Sequence, residues 1–248
     1  MKEVRMPIVR HLFRALCASL LLSGPALAGE VSELRPIGFS ADGKVFAFEE
    51  FGVQDGSGFP FANRFYIDTT SDTFLPGSPV EVILKDEQKH VGDARAAAKA
   101  QAAAFDTAYA FDANPGVIAA FNPLTELGAD AGRLSYASVT LGPQPFGTYE
   151  LALEEKQLPT QRPCRSMNGS AAGFHLAFTR VNGKPAGITL HDDTVIPESR
   201  GCPLGYRIGG VVTHMSPGAI THAVLVLVFS PGFEGESARW TAVTRRLE

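Results

Sequence analysis

Apolar and polar residues alternate with period two along much of this chain, the pattern of half-buried strands. Residues 37–68 show it most plainly and read as strand, tight turn, strand, loop, strand. Ala41-Asp42-Gly43-Lys44 carries the Asp and Gly of a tight turn. After it, Phe46 and Phe48 share one face with Glu50, and Val45 and Ala47 share the other with Glu49 and Phe51. Both faces begin apolar and reach a carboxylate later, so the strand is expected to be buried at its start and wet at its end. Gln54-Asp55-Gly56-Ser57-Gly58 reads as a loop, and Arg64-Phe65-Tyr66-Ile67 as the next strand.

The β pattern runs to Val80-Glu81-Val82-Ile83-Leu84, and then the composition shifts. Residues 93–111 are rich in alanine, with Asp93 placed to cap a helix N-terminus. Ala98, Ala102, Phe105 and Tyr109 recur at spacings of three and four, so one helix face is expected to cover a sheet. Pro115-Gly116 stops the helix. Residues 117–121 read as a strand and 122–133 as irregular. Further strands are expected at 149–153, 174–181, 186–192, 207–214, 223–229 and 240–245. Val224-Leu225-Val226-Leu227-Val228-Phe229 is apolar on both faces and predicts a central strand buried on both sides. Asn182-Gly183 marks a hairpin turn. A three-residue loop that pairs Val181 with Pro185 sets Phe178 opposite Ile188 and Leu176 opposite Leu190, and that register is expected. It also sets His175 across from His191 on the wetter face.

The first 28 residues change this picture. Lys2, Arg5, Arg10 and Arg14 precede a short apolar run, and Ala26-Leu27-Ala28 before Gly29 is a small-x-small cleavage site, the pattern of a secretory signal peptide. The apolar run is far shorter than the ~20 residues that span a bilayer, so no transmembrane anchor is expected after processing. Residues 29–248 then form one secreted β-rich domain, with a subdivision at 29–122 and 123–248 as the alternative. Removal of those four basic residues and of Glu3 takes the net charge from −4 to −7. An acidic chain without a cluster of Lys and Arg argues against nucleic-acid binding. Of three cysteines, Cys17 leaves with the leader. Cys164 and Cys202 remain and are expected to form one structural disulfide; a redox pair would favour Cys-x-x-Cys spacing.

The best candidate constellation for chemistry is His175, His191, Asp192 and Asp193. Two facing imidazoles with a carboxylate are candidate ligands for a transition metal; the plainer reading is two surface histidines. His214 and His222 flank a turn through Ser216-Pro217-Gly218 and are a second pair that could converge; the favoured, plainer reading is two loop-end histidines making ordinary hydrogen bonds. Glu49-Glu50 and Glu154-Glu155 are adjacent carboxylates, which point to opposite faces of a strand and so make no acid–base pair. Asn168-Gly169-Ser170 is a glycosylation sequon by pattern. The sequence carries no Gly-x-Ser-x-Gly elbow, phosphate-binding loop or dinucleotide fingerprint. For a binding surface, the aromatic stretch Phe59-Pro60-Phe61 with Asn63 and Arg64 is the favoured candidate, and a loop folded over the core is its plain alternative.

The stretch Gly38-Phe39-Ser40-Ala41-Asp42-Gly43-Lys44-Val45-Phe46-Ala47-Phe48 resembles the opening of one TolB-like propeller blade. The mature chain as a whole resembles a family of predicted secreted bacterial proteins of unknown function. That likeness rests on Phe48-Glu49-Glu50-Phe51-Gly52, on Ser199-Arg200-Gly201-Cys202-Pro203 with Gly205-Tyr206, and on Pro231-Gly232-Phe233-Glu234-Gly235. The resemblance implies a periplasmic or secreted address and brings no activity. The expected fold is mainly antiparallel β, sandwich-like or partly propeller-like, with one Ala-rich covering helix and one disulfide. The leading functional expectation is a non-enzymatic binding or envelope-interaction protein, without cofactor, whose partner is an envelope protein or a small ligand. A metal-dependent hydrolase using His175 and His191, and a blade-like structural module of an envelope complex, are the alternatives.

Overall fold

A computed structural model describes residues 29–160, 164, 170–233 and 235–248. The expected leader, with Ala26 and Ala28, lies outside them, as does Asn168 of the sequon; Gly29 is the first described residue.

Three antiparallel sheets stack face to face. The first contains β1 (Glu33–Phe39), β2 (Val45–Val53), β3 (Pro60–Asp68) and β4 (Thr73–Phe74) in that order, with β5 (Val80–Ile83) also paired to β3. The middle sheet collects distant parts of the chain. β6 (Val117–Phe121), β11 (Gly205–Ser216), β12 (Ala219–Pro231) and β13 (Glu236–Leu247) lie in the order β13-β12-β11-β6. The third is a meander of β7 (Arg133–Leu141), β8 (Gln144–Pro159), β9 (Ser170–Val181) and β10 (Lys184–Asp192). β1 to β4 do form a four-stranded meander, the connectivity of a propeller blade. The three sheets pack as layers, with the middle one between the other two.

The middle sheet is apolar on both faces because it is covered on both. On β12, Val224, Val226 and Val228 pack with Phe174, Leu176 and Phe178 of the third sheet. Ala223, Leu225 and Leu227 pack with Phe39, Phe46 and Phe48 of the first. This is the doubly buried strand that the unbroken apolar run predicts. Phe39, Phe46 and Phe48 are fully buried, and each contributes about 2 to 3 kcal/mol through the water it sheds.

The outer face of the first sheet is closed by α1 (Val91–Gln101) and α2 (Ala103–Tyr109). Ala94, Ala98 and Ala102 are fully buried at spacings of four. Their small side chains let α1 lie close against Phe51, Ala62 and Val82. The single helix expected from the sequence is two, because the backbone leaves helical geometry at Ala102 (φ −89°, ψ 5°). The expected N-cap is also corrected. His90 occupies it, and the Asp93 carboxylate, three residues on, accepts the His90 N–H at 2.9 Å.

The disulfide joins Cys164 and Cys202. It packs with Ala171, Leu158 and Ile196 outside the main cores.

Candidate functional site

An open groove of about 700 Å³ runs between the first and middle sheets. β3 supplies one wall. Its alternation turns Phe61, Asn63 and Phe65 towards the groove, and turns Ala62, Arg64 and Tyr66 towards the helices. β13 supplies the facing wall through Arg239, Trp240 and Thr241. The segment Ser199–Cys202, pinned by the disulfide, forms a third side.

The groove's surface is largely apolar. Phe48, Phe65 and Phe74 form a ladder of rings at centroid spacings of 4.5 and 5.8 Å. The ladder runs from the buried core to Phe74, which is 45% exposed. Ile83, also 45% exposed, and Pro79 lie on the same wall.

Three charged side chains of the groove, Glu50, Arg200 and Arg239, are tied to neighbours. Glu50 is buried, and its carboxylate accepts hydrogen bonds from Asn63 Nδ2 (3.0 Å), Ser32 Oγ (3.1 Å) and the Trp240 backbone N–H (2.9 Å). This corrects the expectation that β2 is wet at its end: both Glu49 and Glu50 are buried, each with partners from elsewhere in the chain. Arg239 lies over the Phe61 ring at 3.9 Å and pairs with Glu30 at 2.6 Å. Arg200 pairs with Asp193, and its guanidinium lies over the rings of Phe174 and Tyr206. Burial pushes the Asp193 carboxyl up. Hydrogen bonds from His191, the Phe174 N–H and Arg200 outweigh that and hold its pKa at about 2.

The histidine constellation is rearranged. Asn182 and Gly183 both have positive φ (51° and 73°), which makes the β9–β10 turn a two-residue loop and pairs Val181 with Lys184. A bulge at Ala186-Gly187 then restores Phe178 opposite Ile188, as expected by another route. A second irregularity, at Leu190, shifts the register once more, so His175 faces Asp192 and His191 faces Leu176. The expected His175–His191 pair is therefore corrected. His175 Nδ1 lies 3.1 Å from Asp192, which also pairs with Lys156, on the exposed face. His191 stacks on Phe174 on the other face, with Nε2 2.8 Å from Asp193. Among the described residues, no group of three or more His, Cys, Asp or Glu is placed to hold a metal ion.

His214 and His222 do not converge either. Each pairs across β11 and β12 with a threonine, His214 with Thr221 and His222 with Thr213, so the two rings face opposite sides of the sheet. His214 stacks on Phe39, and His222 is buried with Nδ1 2.8 Å from Tyr136 Oη.

Of the aromatic stretch singled out for binding, only Phe59 precedes β3. Phe61 is buried beneath Arg239, and Phe61 and Asn63 line the groove. Arg64 points the other way, to Asp106 of α2 at 2.7 Å. Sequence reading missed Arg200, Arg239 and Trp240 as members of this site. The available signal was that Glu50, Arg200 with Cys202, and Pro231 each fall in one of the three stretches that carry the family resemblance, and all line this groove.

The stacked sheets, the external disulfide and the partly apolar groove define a β-sandwich protein with a ligand-sized cleft. The chain belongs to the family described as "Predicted secreted protein (DUF2259)", whose model matches residues 47–246. No curated protein and no solved structure matches it. Among the described residues, no helix is long and apolar enough to cross a membrane.

Proposed function

We propose that the chain is a non-enzymatic binding protein of the periplasm and that the groove between β3 and β13 holds a largely apolar small ligand. The observation that carries this reading is the convergence of all three family-like stretches on one groove with an aromatic wall. Its volume falls within the ~300–1,000 Å³ of small-molecule sites. Glu81 is exposed; the other charged groups on its walls are held, Glu50 by three donors, Arg200 by Asp193 and Arg239 by Glu30. They therefore act as fixed walls that orient a ligand. The secreted character of the family, the expected cleavage after Ala28 and the disulfide all suit an oxidising compartment.

The chain's single tryptophan, Trp240, lines the groove and is the reporter for the test. The mature protein is titrated with N-phenyl-1-naphthylamine, a neutral apolar fluorophore. The expected result is saturable quenching of Trp240 emission, weakened about tenfold by Phe74→Asp. Absence of saturation, or equal binding by the variant, overturns the reading.

A further inference from the structure

On the opposite face of the first sheet, under the helices, lies a second cavity of about 230 Å³. It is built by a row of charges across three strands: Arg35 on β1 is paired with Glu49 on β2, and Glu49 with Arg64 on β3. Residues paired in this way present their side chains to the same face, with Cβ atoms about 5 Å apart. α1 adds Arg95 and Lys99 above the row, and Asp106 and Asp112 complete the charged lining.

Two ion pairs account for part of this charge. Arg64 Nη1 contacts Asp106 at 2.7 Å, and Arg95 contacts Glu49 at 2.8 Å while lying over the Phe51 ring. Among the described residues Arg35, Lys99 and Asp112 are left outside these pairs, so the cavity's lining carries one net positive charge. Arg64 is only 5% exposed, and its Nε is buried without a hydrogen-bond partner among the described residues. A buried guanidinium N–H without an acceptor is costly, and proteins rarely leave one so. It lines a cavity that has room for a small polyatomic ion.

We infer that this cavity is a binding site for a small oxyanion, held by Arg35, Arg64 and Lys99. The inference stands apart from the apolar groove, since it uses the other face of β3 and none of the groove's residues. The Arg64 guanidinium lies at the base of the anion, and a small shift of the side chain gives its Nε the acceptor it lacks. Arg35 and Lys99 supply the charge that Glu49 and Asp106 do not neutralise. Arg95, tied to Glu49 and to Phe51, fixes the roof.

The test is calorimetric titration of the mature protein with inorganic phosphate and, separately, with acetate at matched ionic strength. Expected is saturable binding of at least one of the two with a dissociation constant of about 1 mM or tighter. Arg35→Gln and Lys99→Gln, alone, each weaken it about tenfold, and the double variant abolishes it. Both positions lie at the cavity's margin outside the cores, and unchanged far-ultraviolet circular dichroism and thermal midpoint without anion confirm that the variants are folded. Lack of saturation by both anions overturns the inference, as does undiminished affinity in the folded double variant. Apolar probe binding in the groove is expected to be unaffected by either substitution, which separates failure of this site from failure of the groove.

Discussion

Glu50 Oε2 accepts the backbone N–H of Trp240 at 2.9 Å, a bond from a side chain of the first sheet to the edge strand of the middle one. Among the described residues β13 has a strand partner, β12, on one side only, and a free strand edge invites association with other chains. Here the edge is closed piecemeal. A parallel bridge sets Val31 beside Ala238; the Glu50 carboxylate takes the N–H of Trp240; and Asp72 takes both the N–H and the hydroxyl of Thr244, at 2.7 and 2.8 Å. Replacing Glu50 by Ala leaves the buried Trp240 N–H and the half-buried Asn63 amide without their acceptor, while Ser32 Oγ keeps the Ala238 carbonyl at 3.2 Å. The expected loss is about 3 kcal/mol, read as a shifted urea midpoint. The freed edge is also expected to raise aggregation on heating, read by light scattering.

Acid should destabilise the fold in two stages. His222 is buried among Tyr136, Tyr149 and Phe178, and burial pushes its pKa down to about 3. Unfolded, it takes a proton near pH 6.5. Stability is therefore full above about pH 6.5 and falls as the pH drops towards about 3, by about 4 kcal/mol in all. Asp193, held at about 2, adds stability that is full above about pH 4 and is lost as the pH falls through about 2. Denaturant titrations between pH 7 and 4 are expected to show the first stage. The double variant His222→Leu with Tyr136→Phe, which removes both members of the hydrogen bond, is expected to flatten it. An unchanged slope in that variant would assign the acid sensitivity elsewhere.

The disulfide spans 38 positions of sequence. Opening a loop of that length restores chain entropy to the unfolded state worth about 4 kcal/mol in the loop-closure model. Reduction, or replacement of both Cys164 and Cys202 by Ser, is expected to lower the thermal midpoint. Because Ser199–Cys202 forms one side of the groove, the same change is expected to weaken apolar probe binding in protein that remains folded.

The parts of this fold set by local pattern could be read from the sequence. The alternation of Phe46 and Phe48 against Val45 and Ala47 assigns both faces of β2 correctly, and the apolar run 224–229 places β12 in the centre. What could not be read depended on partners far along the chain. Glu49 and Glu50 look like the wet end of a strand until Arg95 and Trp240 arrive from 46 and 190 positions away. The His175–His191 pairing failed for a backbone reason: the bulge at Ala186-Gly187 brings the hairpin into the expected register, and the irregularity at Leu190 shifts it by one residue again. The charge row Arg35–Glu49–Arg64 was equally hidden, because each member falls in a different strand and only the pairing of β1, β2 and β3 aligns them.

Gly209 on β11 is a position at which the groove wall can be moved without substituting a groove residue. A Cβ built there would lie 2.3 Å from Trp240 Cζ3 and 2.5 Å from Cη2, nearer than non-bonded carbon atoms approach. Glycine is thus required by the indole that lies against it. Trp240 cannot retreat freely, since its Nε1–H donates to the Ser32 carbonyl at 2.9 Å and its backbone N–H is held by Glu50. Gly209→Ala must therefore displace the ring or the strand, at a cost of about 2 kcal/mol, the usual scale for overpacking a core. The expected outcome is a lowered urea midpoint together with a red shift of the single tryptophan's emission, as the indole is pushed towards water. If the groove is the ligand site, the variant also loses affinity for the apolar probe. Phosphate binding beneath α1, on the far face of the first sheet, is expected to stay as it is in the unmodified chain.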